Sequence, residues 1–308
     1  MRSTPTLIAL ALLLAVASDL HADNRVEIDQ TGTDNSASAE QTGVLNEAVI
    51  RQNGTDNTAS VFQLVESNLA TVVQVGSGNE ASVYQGSESH FGSVSVYQQG
   101  AGNRAEVEQN GYANDLTISS VGDGNAIAAT QQGFAQAEAY QIGNDNSVTL
   151  TQDGVYHGTQ LAVYQVGDEN LASINQGDGS TIQLAQNGNA NSARIDQVSL
   201  FGEAVFNQAG DNNVLAIEQS GRNNSFRGSS TGNDNSVDVV QWFDGNQASV
   251  VQTGDSNLAD IRQLAEYNEA RITQTGDANA AYITQAAANM TAIIQQSGSG
   301  NLATVSQQ

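Results

Sequence analysis

The sequence predicts an all-β protein: a cross-β solenoid of about 13 stacked strand–turn–strand arches forming two parallel sheets that face each other. Three observations carry this expectation. The phrase Gln-x-Gly-x-x-Asn-x-Ala-x-x-x-Gln recurs in thirteen copies at a step of 22 residues, with four excursions to 24 or 21. Within each copy, apolar and polar residues alternate with period two. All length variation falls in every second connection. A unit this short cannot bury its apolar face alone, so it must stack on copies of itself.

Taken from the N-terminus, the first element is a leader. Arg2 precedes an apolar run, Leu7–Ala17, followed by small residues, which is the pattern of a secretory signal peptide over residues 1–22. Cleavage is expected after Ala17, where Ala15-Val16-Ala17 fits the small-x-small rule, or after Ala22. The run is too short for a stop-transfer helix and no second apolar segment follows. The mature chain, residues 23–308, is therefore expected to be exported and to have no membrane span. The single proline, Pro5, lies in the leader.

The strands come next. Gln41, Gln52, Gln63, Gln74 and Gln85 lie 11 residues apart. Two and four residues before each Gln stand apolar or small side chains, such as Ala48 and Ile50, Ala59 and Val61, or Ala81 and Val83. The intervening positions are mostly polar. This alternation predicts short strands with one buried face, at whose ends the Gln point inward. Stacked identical amides bond to one another from coil to coil, which satisfies groups that are otherwise costly to bury. The expected ladder residues are Gln30, Gln41, Gln52, Gln63, Gln74, Gln85, Gln98 and Gln109 early in the chain, and Gln252, Gln263, Gln274, Gln285, Gln296 and Gln307 late. Asn35, Asn57, Asn79, Asn103, Asn257, Asn279 and Asn301 are expected to ladder at the turns.

The connections alternate in kind. Thirteen tight turns read Gly-x-x-Asn without departure, and Gly and Asn both tolerate positive φ. Gly32, Gly54, Gly76, Gly100, Gly254, Gly276 and Gly298 are the turn glycines. The other connections are loose, for example Leu64-Val65-Glu66-Ser67 and Trp242-Phe243-Asp244-Gly245, and they absorb every insertion and deletion, at 86–93, 132–136, 153–160 and 177–181. The unit is thus strand, tight turn, strand, variable linker. One edge of the stack is uniform and the other irregular. At about 4.8 Å between coils the stack would be roughly 60 Å long.

Composition excludes several functions. The 308 residues carry 33 acids against nine basic residues, all arginine, for a net charge of −24. No clustered positive charge exists for nucleic acid. Cysteine is absent, so disulfides and thiolate metal sites are excluded. His90 and His157 stand isolated in the longest linkers, and His21 lies in the leader. No Ser/His/Asp set can be placed, so no catalytic residue, cofactor or enzymatic activity is expected. A parallel β-helix enzyme would bring long functional loops and basic catalytic residues, and this chain has short linkers and no lysine.

The repeat Gln-x-Gly-x-x-Asn-x-Ala-x-x-x-Gln over residues 26–307 resembles the curlin repeat of curli subunits, the functional amyloid fibres of bacterial biofilms. The resemblance implies secretion from a Gram-negative cell and self-association into extracellular or cell-surface fibres that serve adhesion and aggregation. It also implies partners: an outer-membrane secretion pore, periplasmic chaperones, and a nucleator or major subunit. The chain departs from the family in its larger repeat number. It also lacks a Gly/Asn-rich targeting segment after the leader, since strand pattern begins at Val26 and Ile28. Whether it is the major subunit or the nucleator stays open.

Three surface features complete the reading. Asp34, Asp56, Asp123, Asp145, Asp168, Asp211, Asp234, Asp255 and Asp277 lie in the tight turns and are expected to form a ladder of like charges. Repulsion that delays association is the favoured role. The competing one is Ca²⁺ held between stacked carboxylates. Outward Phe62, Tyr84, Tyr97, Tyr140 and Tyr164 serve either lateral contact and adhesion or ordinary β-propensity. Strand pattern runs from the expected mature start to Gln307, so uncapped ends are expected to template head-to-tail growth. The alternative function is a monomeric secreted solenoid with a binding role, of adhesin or ice-binding type, for which Thr231, Thr253 and Thr275 stack outward.

Overall fold

Alternation and the turn glycines produce an all-strand architecture. The computed structural model describes residues 11–14 and 23–308. The expected leader and both candidate cleavage positions lie outside the described residues, apart from a short strand, β1 (Ala11–Leu14), which pairs in parallel with β3 (Ser36–Gln41). The chain divides into two compact units, residues 1–145 and 146–308.

In the first unit, β2 (Arg25–Thr33), β4 (Glu47–Thr55), β6 (Leu69–Ser77), β8 (Ser93–Ala101) and β10 (Asp115–Val121) form one parallel sheet. β3, β5 (Thr58–Gln63), β7 (Glu80–Gln85) and β9 (Arg104–Asn110) form the other. β11 (Ala126–Ile142) serves both: its start pairs with β9 and its end with β10. The short linker at 132–136 is thus absorbed into one continuous strand. Each strand pairs with the second strand after it, which is the connectivity of a solenoid coil.

The second unit repeats this plan. β12 (Ser147–Val166) begins against β13 (Leu171–Gln176) and ends against β14 (Thr181–Asn187). One sheet continues through β15 (Ser192–Gln197), β17 (Val214–Gln219), β19 (Ser236–Gln241), β21 (Leu258–Gln263), β23 (Ala280–Gln285) and β25 (Leu302–Gln307). The other continues through β16 (Glu203–Ala209), β18 (Ser225–Thr231), β20 (Gln247–Thr253), β22 (Glu269–Thr275) and β24 (Thr291–Ser297). The 25 strands make a parallel β-solenoid of about thirteen turns, with no helix among the described residues.

Register follows the repeat. Gln252 faces Gln274 and Gln263 faces Gln285, so identical slots stack. The interior is thin: the first inward slot holds Ala in many coils, as at Ala48 and Ala259, and Val, Leu or Ile in others, as at Val237, Leu116 and Ile182, the second holds mostly Val, Ile or Leu and the third mostly Gln, and all of these are buried away from the ends of the stack. One place carries aromatic rings. Phe226 takes an alanine slot, and Gly228 stands where neighbouring coils have Phe206 and Val250. The two rings stack at 5.6 Å. A Cβ on Gly228 would lie 2.3 Å from the Val250 carbonyl oxygen and 2.9 Å from the Phe206 ring, so the missing side chain makes room both for the next strand and for the extra ring volume one coil away.

Gly-x-x-Asn makes the tight turn because two positions need positive φ. The glycine takes φ near +113 at Gly254, and the residue two further on also turns left-handed, as at Asp234 (φ 57). The glycine is required for a second reason. A Cβ on Gly254 would sit 2.4 Å from the Gly276 carbonyl oxygen of the next coil. Stacking therefore forbids a side chain there, which explains a turn glycine that never varies.

Candidate interaction surfaces

The structure offers three surfaces: the amide ladders of the interior, the tight-turn edge and the linker edge. In the interior most glutamines donate from Nε2 to Oε1 of the Gln one coil on, as in Gln41 to Gln63 (2.7 Å), Gln63 to Gln85 (2.8 Å) and Gln263 to Gln285 (3.0 Å), whereas Gln176 donates to the Gln160 and Ser180 carbonyls and leaves Gln197 Oε1 without a partner. The same Nε2 also donates to a main-chain carbonyl, for example Gln63 to Glu47 O at 3.1 Å. Both amide hydrogens are thus used, which is what makes a fully buried amide tolerable. Ser120 and Ser230 interrupt the ladder, and their hydroxyls donate to Gln141 and Gln252 Oε1 at 3.2 Å.

The turn asparagines do more than stack. Asn57 Oδ1 accepts the main-chain N–H of Asn79 (3.1 Å) and its side-chain amide (2.9 Å). Asn57 Nδ2 donates to the Gly76 carbonyl at 2.9 Å. Asn257 and Asn279 repeat these contacts. Each asparagine therefore satisfies turn groups that have no strand partner.

A second, interrupted asparagine ladder runs along the linker edge, which the repeat phrase did not reveal. Asn46 N donates to Asn24 Oδ1 and Asn68 N to Asn46 Oδ1, both at 3.0 Å. In the second unit Asn246 N donates to Asn224 Oδ1 and Asn268 N to Asn246 Oδ1. The signal was present as Gln-x-x-x-x-Asn at Gln41–Asn46, Gln63–Asn68 and Gln263–Asn268, the spacing used by the tight turns.

The turn aspartates occupy two positions instead of one. Asp123, Asp168, Asp211, Asp255 and Asp277 follow the glycine directly. Asp34, Asp56, Asp145 and Asp234 stand one residue later in the left-handed conformation. At the first position side chains accept a main-chain N–H from the preceding coil. Asn189 N donates to Asp211 Oδ1 (2.8 Å), Asp211 N to Asn233 Oδ1 (2.9 Å) and Asn233 N to Asp255 Oδ1 (2.7 Å). Asn alternates with Asp along this run, which separates like charges; only Asp255 and Asp277 are direct neighbours. Among the described residues no group of three or more His, Asp or Glu is placed to hold a metal ion.

The arginines pair outward across coils: Arg51 with Glu27 (2.7 Å), Arg104 with Glu80 (3.1 Å) and Arg262 with Asp238 (3.8 Å). The Arg51 guanidinium, hydrogen-bonded to Glu27, holds that carboxyl below its usual range. Partial burial, aided by the neighbouring Asp260, pushes the Asp238 carboxyl up. His157 lies 3.0 Å from the Asp178 carboxylate and His90 lies 3.7 Å from Glu66, each one coil away, so neither stands isolated.

The linker edge carries the exposed aromatic residues. Of ten widely exposed rings among the described residues, eight lie there: Phe91, Tyr112 and Phe134 in the first unit, and Tyr156, Phe201, Trp242, Phe243 and Tyr267 in the second. Only Tyr84 and Tyr164 stand on strand faces. Phe62 stacks on Tyr84 at 5.5 Å. Thr231, Thr253 and Thr275 align in register but give way to Ala209 and Ser297 on either side, a row of three.

Fold and surfaces together define a repeat-built structural protein, a parallel β-solenoid held by backbone ladders and stacked amides. Six stretches, residues 22–54, 32–64, 54–86, 93–122, 232–264 and 268–298, match the curlin associated repeat and together cover more than half of the chain. The chain belongs to the curlin repeat family, a family of structural amyloid subunits. No curated protein matches it. No helix among the described residues is long and apolar enough to cross a membrane.

Proposed function

We propose that this chain is a secreted structural subunit that self-assembles, coil onto coil, into extracellular curli-type amyloid fibres serving biofilm matrix, adhesion and aggregation. The observation that carries the reading is the identity of successive coils. β22 meets β24, and β23 meets β25, through the same register and the same glutamine contacts that join earlier coils. A coil of a second copy fits the same template, with one new rung per ladder. Heterologous pairing of this kind generates an open filament. The pairing of β1 with β3 supports the same view, since a segment outside the repeat is accepted in parallel on a coil edge.

The leader over residues 1–22 would direct export, and in this reading a secretion pore, chaperones and a nucleator or major subunit act with the chain. The net charge of −24 would delay association until export is complete. Purified chain without residues 1–22 tests the proposal. It should pass from monomer to sedimenting, amyloid-dye-binding material, and preformed fibres should abolish the lag. A chain that stays monomeric for days at high concentration, with or without seeds, contradicts the reading.

A further inference from the structure

The first coil already has a strand on its outer edge, and that strand is a piece of the expected leader. β1 pairs in parallel with β3: Ala11 stands opposite Ala37, Leu12 opposite Ser38, Leu13 opposite Ala39 and Leu14 opposite Glu40. β5 also pairs with β3, from Ser36 and Thr58 to Gln41 and Gln63. β1 therefore lies on the edge of β3 that faces away from the following coils. The hydrogen bonds agree. Ser36 N donates to Asn57 O and Thr42 N to Gln63 O, both on the β5 side. Alternation along a parallel strand then turns the N–H groups of Ala37 and Ala39 toward β1.

This is the edge that assembly needs. Within the stack, β25 meets β23 with Ala303 opposite Ala281 and Val305 opposite Ile283. Carried across a joint between copies, the same register sets Ala303 and Val305 of a second copy opposite Ala37 and Ala39, the places that Ala11 and Leu13 hold. The two strands exclude each other. Blocking one edge strand is enough, because only residues 298–301 join β24 to β25 and the pair must dock together, β24 on β2 and β25 on β3. The leader imitates the repeat in part. Ala11-x-Leu13 matches Ala303-x-Val305 in pattern. Yet β1 ends opposite Glu40, one position short of Gln41, and residues 1–22 contain neither Gln nor Asn. It extends the backbone ladder and supplies no amide rung, so it holds the edge less firmly than a true coil does.

We propose, resting on the fibre-subunit reading, that β1 is an autoinhibitory cap: while residues 1–22 are attached they occupy the first-coil edge that a second copy must use, and their removal opens it. The cap is one-sided. β24 pairs with β22 and β25 with β23, so a capped chain still offers the far edge of its last coil. It joins the open first-coil edge of a fibre once and then presents a closed edge there, which makes uncleaved chain a terminator of growth.

The test compares four chains refolded from denaturant: the full chain, the chain lacking residues 1–22, the full chain with Leu12→Pro in β1, and the full chain with Thr6→Pro outside it. Proline inside a paired strand breaks its ladder, and every repeat stays intact. With seeds grown from the chain lacking residues 1–22, the full chain and Thr6→Pro are expected to grow about tenfold or more slowly than that shortened chain, the reduction when the competent edge is open in about a tenth of molecules or fewer. Leu12→Pro is expected to grow at close to the rate of the shortened chain. Hydrogen exchange on dilute, unassembled chains reads the edge itself. The Ala37 and Ala39 amides should exchange about tenfold or more faster in the shortened chain and in Leu12→Pro than in the full chain. Equal exchange in the full and shortened chains overturns the cap, as does Leu12→Pro growth as slow as that of the full chain. A shortened chain that forms no fibre overturns the fibre reading and the inhibition with it, while the exchange result still decides whether β1 covers the edge.

Discussion

Replacing one rung of the glutamine ladder tests what holds the coils together. Gln263 is fully buried. It accepts from Gln241 Nε2 at 2.8 Å and donates to Gln285 Oε1 and to the Gln247 carbonyl, both at 3.0 Å. Gln263→Met keeps the length of the side chain, so little cavity forms. It leaves one donor and two acceptors without their partner. An orphaned buried group costs about 1–3 kcal/mol. Gln241 keeps no rung ahead of it and Gln285 none behind, while the Gln247 carbonyl is nearer solvent. The expected loss is about 3–5 kcal/mol, from two full penalties and a partial one. Gln295→Met, at an exposed outward position of β24, should shift stability by less than about 0.5 kcal/mol. Urea denaturation followed by far-ultraviolet circular dichroism, on dilute unassembled chain, reads both. If Gln263→Met falls within about 1 kcal/mol of Gln295→Met, the amide ladder is not a main determinant of the stack.

Four further outcomes are expected. Gly254→Ala puts a Cβ 2.4 Å from a carbonyl of the next coil at φ +113 and should cost about 3 kcal/mol in the same assay. Gly300→Ala, also left-handed but facing open space, should cost about 1 kcal/mol. Gly228→Val should destabilise by about 3 kcal/mol through overpacking against the Val250 carbonyl and the Phe206 ring, and adding Phe206→Leu should recover only the smaller part due to the ring. The raised Asp238 carboxyl means that the folded chain disfavours its charge. It therefore weakens stability at neutral pH, and the penalty fades as pH falls through the raised value toward the ordinary carboxylate range. Asp238→Asn should raise the urea midpoint at pH 7, with the gain shrinking on acidification. Fibre growth should be the same with Ca²⁺ and with a chelator, because the turn carboxylates already accept main-chain N–H groups, as Asp211 does from Asn189. Faster growth with Ca²⁺ alone would revive a bridging role for the Asp34, Asp56, Asp145 and Asp234 position.

The solenoid was legible because its two signals are local and repeated. Period-two alternation marks each strand, and Gly-x-x-Asn marks each tight turn. What escaped depends on neighbours a coil away. The Phe206–Gly228 exchange joins residues 22 apart, and no window along the chain pairs them. The aspartates share one edge of the repeat, yet one residue of offset separates an acceptor of main-chain N–H from a left-handed turn position. The second asparagine ladder keeps the Gln-to-Asn spacing but is broken by linkers of unequal length. The linker-edge rings share no fixed slot in the phrase, since Phe91, Tyr112 and Phe134 sit in linkers that differ in length. Only the stacked backbone brings them to 5.2 and 5.5 Å.

The central claim is that coils of separate copies join as coils do within the chain: parallel, in register, one strand spacing apart. Diffraction from aligned fibres of the chain lacking residues 1–22 tests it most directly. The account predicts a meridional reflection at about 4.8 Å, from strand stacking along the fibre, and an equatorial one at about 10 Å, from the two facing sheets. A fibre whose 4.8 Å spacing runs across its axis, or an assembly with neither reflection, would contradict it.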